Sequence, residues 1–121
     1  MNSLDTDNVS KVVMIWKKSI LLLQKSSTEW ELPGGHLTRG ETFKKGAKRE
    51  VFEETGIKIN KLRTVLKQKD FCLFNCYPKV IKVKLSDEHI NYEWVPVSVL
   101  SKKKLTKSTK INIKSIVDSV Q

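Results

Sequence analysis

Cysteine is nearly missing from this chain: Cys72 and Cys76 are the only two among 121 residues. On one strand they would share a face about 13 Å apart by the per-residue rise. A disulfide tolerates a Cα separation of no more than about 7 Å. Two thiols without further partners do not make a zinc site either. Both read as reduced, partly buried thiols, which suits a cytoplasmic chain. Long apolar runs are also missing. The stretch Ile20 to Leu23 is followed at once by Gln24 and Lys25, far short of the roughly 20 residues of a membrane span. No membrane partner is expected, and Asp5 and Asp7 ahead of the first apolar run do not resemble a secretory leader. With five glycines and three prolines, no linker, repeat or low-complexity block stands out. One domain over residues 1–121 with a modest core is expected.

Charge is present but uneven. The formal net charge is +10, and of 23 basic residues only three are Arg. Six of the 13 acidic residues fall between Glu29 and Glu54, while the chain from Lys102 onward holds six lysines and one Asp118, a net +5. An acidic patch in basic surroundings draws polyphosphates, and RNA is a second partner such a field suits. The dominance of Lys over Arg, with abundant Ile and Asn, equally fits coding bias in an A·T-rich genome. No aromatics interleave the Lys-rich tail to stack on single-stranded bases.

The acidic patch has a pattern. From Gly35 to Ile57 the chain reads Gly35, Glu41, Arg49-Glu50-Val51, Glu53-Glu54, Gly56-Ile57, that is G-x5-E-x7-R-E-U-x-E-E-x-G-U with U apolar. Phe43, Ala47 and Val51 recur every four residues, which predicts a helix over Thr42 to Glu54. Gly56 supplies the left-handed stop, and Thr38 or Thr42 the N-cap. On that helix Glu50, Glu53 and Glu54 stand at i,i+3 and i,i+4 spacing, so like charges converge and repel. A divalent cation offsets this best, because Mg²⁺ takes hard oxygen ligands and commonly binds one or two carboxylates plus phosphates. Arg49 lies four residues before Glu53 and is placed to pair with it. Trp30-Glu31-Leu32-Pro33-Gly34-Gly35 precedes the helix, and Pro-Gly-Gly fixes a turn that lets backbone approach a ligand.

With no departure at any fixed position, this stretch resembles the Nudix box, and the chain resembles the Nudix hydrolases from about Val12 to Leu100, MutT-like members in particular. The resemblance implies an α/β fold: an α/β/α sandwich around a mixed β-sheet, with the Nudix loop-helix-loop and a C-terminal helix. It implies hydrolysis of a nucleoside diphosphate linked to another moiety, with Mg²⁺ as cofactor and Mn²⁺ as a substitute. Glu50, Glu53, Glu54 and the carbonyl of Gly34 match metal ligands. Glu50 also matches the general base of some members, Arg49 the residue that orients the glutamates, and Glu41 a supporting glutamate. Gly35 and His36 fall where substrate is approached. Glu88, six residues before Trp94, matches a further ligand from a late loop, with Asp87 and Glu93 as competitors. His89 reads as a flank of that loop.

Substrate choice is less determined. (d)NTP-type substrates come first. ADP-ribose, NDP-sugars, dinucleoside polyphosphates and RNA 5′ ends are the alternatives, as is a non-catalytic nucleotide-binding module, which usually loses box glutamates. A monomer or a homodimer is expected. Trp16, Trp30, Phe71, Phe74, Tyr77, Tyr92 and Trp94 are the candidates for base stacking.

For the remaining elements, residues 1–8 read as a loose polar lead. A hairpin over Lys11–Trp16 and Ile20–Gln24 turns at Lys17-Lys18-Ser19, and Glu29–Leu32 forms a short strand. Further strands are expected over Lys61–Lys69, Phe71–Tyr77, Lys79–Leu85 and Tyr92–Val95, and a short helix from Pro96. Residues 101–121 form the Lys-rich C-terminal segment, with a closing helix over Thr109–Val120.

Overall fold

A computed structural model describes residues 5–25 and 27–120 of the chain. Strand β1 (Asp5–Trp16) runs through its centre. Its early part pairs with two strands at once, antiparallel with β4 (Gly34–Thr38) and parallel with β6 (Phe71–Cys76). Its last residues turn into β2 (Ser19–Gln24) through Lys17 and Lys18, both at positive φ. Two consecutive left-handed residues match the twist of a tight hairpin. β2 then pairs antiparallel with β3 (Trp30–Glu31) and β7 (Asn91–Pro96), and β5 (Arg63–Lys67) closes the other edge on β6. The sheet is therefore mixed, as expected.

Alternation along β1 and β2 fills a core on each face. Val12, Met14, Leu21 and Leu23 pack with Ala47 and Val51 of α1 (Phe43–Thr55) and with Phe74. Val13, Ile15, Ile20 and Leu22 pack with Leu73, Leu100 and Ile116 on the opposite side. Each fully buried aliphatic side chain contributes roughly 1.5–3 kcal/mol. Thr42, not Thr38, caps α1: its side chain accepts from the Lys45 backbone N–H, and Gly56 at φ 72° ends the helix. Cys72 and Cys76 share a face and are buried as free thiols. Burial raises both, Cys76 to about 12.

Four expectations are corrected. Residues 1–4 lie outside the described part, but residues 5–8 are not a loose lead; they are the start of β1, where the Thr6 hydroxyl donates to the Leu37 carbonyl at 3.0 Å. Polar side chains mislead here because the strand is held by backbone pairing with β4. The segment 79–85 is not a strand. Its alternation reflects Val83 and Leu85 packing on the core. The Lys84 N–H donates to the Thr55 carbonyl at the end of α1, and the Ile81 carbonyl accepts from the Trp94 indole. The C-terminal segment is a 3₁₀ turn (Val97–Lys102) and two short helices, α2 (Lys107–Ile111) and α3 (Ile113–Ser119), rather than one helix over 109–120. Asn112 breaks it, its amide donating back to the Ser108 carbonyl at 2.8 Å, a local competition typical of Asn. Finally, β4 stands where a turn alone was expected, because β1 supplies the pairing that Gly-Gly-His-Leu-Thr does not favour by itself.

The aromatics split in the same way. Phe74 is core, Phe71 packs on the opposite cluster, and Trp16 meets Trp94 edge to face at 6.0 Å. Tyr77 and Tyr92 remain exposed.

Candidate metal centre

The site lies where β4 passes the C-terminal half of α1. Gly34 begins β4 at φ 134°, a conformation that favours glycine, and a Cβ there would lie 2.2 Å from the Ser10 carbonyl oxygen. This close approach lets the Gly34 N–H donate to Glu54 Oε1 at 2.8 Å. Glu54 is 3 % exposed. Burial raises its pKa to about 9; the bond from Gly34 and the charge of Lys11 oppose this, and the charges of Glu50 and Glu88 add to it. Burial thus favours the neutral acid form of Glu54 where no cation compensates it.

Arg49 organises the other glutamates. Its Nε donates to Glu41 Oε2 at 2.7 Å and its Nη2 to Glu41 Oε1 at 3.0 Å. Nη1 reaches Glu50 Oε1 at 3.0 Å and the Glu53 carboxylate at 3.2 and 3.3 Å. Nη2 also donates to the His36 carbonyl at 3.1 Å. One guanidinium therefore ties β4, the loop before α1 and the helix itself. The hydrogen bonds from Arg49 hold Glu41 at about 2, with the Thr38 backbone N–H adding a further bond. Glu50 is raised, chiefly by burial, against the pull of Arg49. Arg49 meets Glu53, the pairing that helix spacing pointed to, at a longer distance than it meets Glu41.

Gly35 leaves room for Glu50: a Cβ on it would sit 2.8 Å from that carboxylate. The His36 side chain is exposed on β4, and its backbone carbonyl accepts from Arg49. Among the described residues, one group brings three potential ligand atoms within 4.8 Å of one another: carboxylate oxygens of Glu54 and Glu88 and a ring nitrogen of His89. Glu50 and Glu53 lie outside that group, gathered instead on Arg49. Glu93, a competitor of Glu88, is turned to Lys103 at 2.6 Å.

Sequence reasoning gave Lys11 and Glu31 no part in the site, and His89 only a place flanking the Glu88 loop. Lys11 donates to Glu31 Oε1 at 3.4 Å, the Leu32 carbonyl at 3.1 Å and the Gly34 carbonyl at 3.4 Å. Glu31 is buried, and its Oε2 lies 2.8 Å from His89 Nε2. Burial works against ionisation of Glu31, but the His89 bond and the charges of Lys11 and Lys25 outweigh it, and its pKa is lowered. The available signal for Lys11 was a charged residue at the head of an apolar strand, which by itself reads as an edge position; Glu31 gave none.

The donor set fits a hard divalent ion: carboxylates, a backbone carbonyl and a buried acid whose ionised form burial penalises. No helix among the described residues is long and apolar enough to cross a membrane.

The NUDIX domain family model matches residues 6–115. Over 103 residues the chain is 31 % identical to a MutT-like protein of Streptomyces ambofaciens, covering 79 % of this chain and 67 % of that one. Over 59 residues it is 34 % identical to an RNA pyrophosphohydrolase of Wolbachia pipientis wMel, covering 49 % of this chain and 35 % of that one; the chain thus spans about a third of that relative's length. In three dimensions it is similar to an ADP-ribose pyrophosphatase of Streptococcus suis, with a TM-score of 0.82 at 18 % identity over 98 % of this chain and 93 % of that one, a likeness of fold.

Proposed function

This chain belongs to the NUDIX domain family, and we propose that it is a divalent-metal-dependent hydrolase that cleaves the pyrophosphate bond of a nucleoside diphosphate derivative, nucleoside triphosphates first. The observation that carries this reading is Glu54: a buried carboxyl beside Glu88, tied to the Gly34 backbone, whose ionised form a bound cation would stabilise. Glu50, Glu53, Glu54, Glu88 and the Gly34 carbonyl would hold Mg²⁺ or Mn²⁺. Such an ion supplies charge neutralisation on phosphoryl oxygens.

The chain's own groups do the rest. Arg49 fixes the rotamers of Glu50 and Glu53 through Nη1 while anchored on Glu41. Glu50, held in a partly buried place that raises its affinity for a proton, is suited to take one from attacking water. The exposed His36 side chain on β4 leaves an approach for phosphate. The MutT-like relative supports the nucleoside triphosphate class. The balance of charge around the site supports a polyanionic substrate.

A second reading, removal of pyrophosphate from RNA 5′ ends, is favoured by a cleft of about 790 Å³ on the flank of α1. Lys44, Lys48, Lys58, Lys61, Arg63 and Lys79 line it, and among the described residues no carboxylate does. The RNA pyrophosphohydrolase relative points the same way.

The test is phosphate or pyrophosphate release with Mg²⁺ across dNTPs, ADP-ribose, NDP-sugars, dinucleoside polyphosphates and triphosphorylated RNA. Turnover of dNTPs above the rest supports the first reading. Preference for RNA, with a salt slope that flattens when Lys58 and Lys61 are changed to Gln, supports the second. Metal-independent binding with no turnover of any of them overturns both.

A further inference from the structure

Glu54 and Glu88 are two of the ligands already considered; His89 beside them is not. Its side chain is 1 % exposed, which is unusual for an imidazole in a loop that follows two acidic residues. Nε2 lies 2.8 Å from Glu31 Oε2, and Nδ1 has no hydrogen-bond partner among the described residues. Glu31 is held as a carboxylate by Lys11 and Lys25, at 3.4 and 3.6 Å. A carboxylate accepts and does not donate, so the proton between the two belongs to Nε2. In the neutral ring this leaves the lone pair on Nδ1, which is buried and unpartnered. A buried polar atom without a partner is costly. Here a ring nitrogen of the same residue stands within 4.8 Å of oxygens of Glu54 and Glu88.

We propose that His89 is a nitrogen ligand at this centre, completing with Glu54 and Glu88 a mixed nitrogen–oxygen ion position that takes Mn²⁺ and other first-row transition metals in preference to Mg²⁺. A carboxylate behind a ligating imidazole fixes its tautomer and makes it a stronger donor; Glu31 fills that role. Imidazole suits transition metals, whereas Mg²⁺ holds to oxygen. The carboxylates gathered on Arg49 offer only oxygen, so the two groups differ in the ion they favour. The inference rests on the metal-dependent reading above but concerns one position within it.

The chain has only two histidines, His36 and His89, so the nitrogen is assignable. The full-length protein, unlabelled and with ¹⁵N-histidine, is loaded with Mn²⁺ and studied by pulsed electron paramagnetic resonance. A histidine nitrogen coupled to the ion, retained in His36→Gln and lost in His89→Gln, is the expected result. Titration calorimetry should show Mn²⁺ affinity falling about 10–100-fold in His89→Gln, with a much smaller change for Mg²⁺. Mn²⁺ spectra of the wild-type protein without histidine coupling overturn the proposal. Equal losses for both ions in a folded His89→Gln also overturn it. Should His89→Gln fail to fold, the wild-type and His36→Gln spectra decide alone. Mg²⁺-dependent turnover measured on the same preparation separates the two readings: turnover without nitrogen coupling removes only the His89 assignment.

Discussion

Arg49 and Glu41 face each other as two forks, Nε on Oε2 at 2.7 Å and Nη2 on Oε1 at 3.0 Å. Two parallel bonds fix the plane of the guanidinium, which a lysine ammonium does not reproduce. Arg49→Lys should therefore lower kcat by about 10–100-fold, the usual cost of losing an orienting partner at a metal site, with KM moving less. Steady-state kinetics at saturating Mg²⁺ give the result; an unchanged kcat would leave Arg49 as a surface ion pair only.

The same pair sets an acid limb of stability. Glu41 has its pKa lowered from 4.5 to about 2. A depressed carboxylate stabilises the fold above its unfolded value, and that contribution fades as pH falls toward the folded value. Glu41→Gln should melt below wild type at pH 6. The gap should shrink between pH 4.5 and about 2. Thermal melts across that window check it, and a gap independent of pH would contradict the assignment.

Glu54 has the opposite sign. Its pKa is raised from 4.5 to about 9 by burial, so without metal the folded state holds a proton that the unfolded state releases. The metal-free fold then loses stability as pH rises from about 4.5 to about 9. Glu54→Gln keeps an acceptor for the Gly34 N–H and carries no charge. In EDTA it should match wild type near pH 5 and exceed it near pH 9, while binding Mg²⁺ far more weakly. Wild-type ion binding at pH 7 should release a proton that the variant does not, read by calorimetry in buffers of different ionisation enthalpy.

Glu53 is the exposed member of the group held by Arg49, at 54 %. Its replacement should leave folding nearly intact while removing a ligand or a proton acceptor. Glu53→Gln is expected to cut kcat on the order of 10²–10⁴-fold. Near wild-type turnover would take Glu53 out of the site.

The two adjacent glycines should fail in different ways. At Gly34 a Cβ meets backbone at 2.2 Å in a left-handed conformation, so Gly34→Ala should cost on the order of 3 kcal/mol or more. At Gly35 the clash is with the Glu50 carboxylate, a side chain that can swing aside. Gly35→Ala should keep its melting temperature within a few degrees and lose roughly 10²-fold in kcat, as a misplacement of about 1 Å does. Circular dichroism and kinetics on both variants separate these outcomes.

The elements that sequence reasoning reached are those whose own side-chain pattern matches their structure, the strands β6 and β7 included although their partners are distant. α1 was legible from Phe43, Ala47 and Val51, its stop from Gly56, and the first hairpin from the lysines between two apolar runs. The interactions that it missed are non-local. β4 forms because β1 lies beside it, and 79–85 stays unpaired although its side chains alternate. Helix spacing offers Glu53 to Arg49, but the closer partner, Glu41, lies eight residues back and outside the helix. Glu31 and His89 are 58 residues apart, and each alone is an unremarkable charged or polar residue.

β1 places Lys11 opposite Gly34 and, one and two residues later, Val12 and Val13 in different cores. A slip of one position along this strand would turn both cores inside out and carry the Lys11 ammonium to the far face of the sheet. The alignment that seats the proposed ligand glutamates is thus guarded by the whole apolar interior, and drift in one is forbidden by the other.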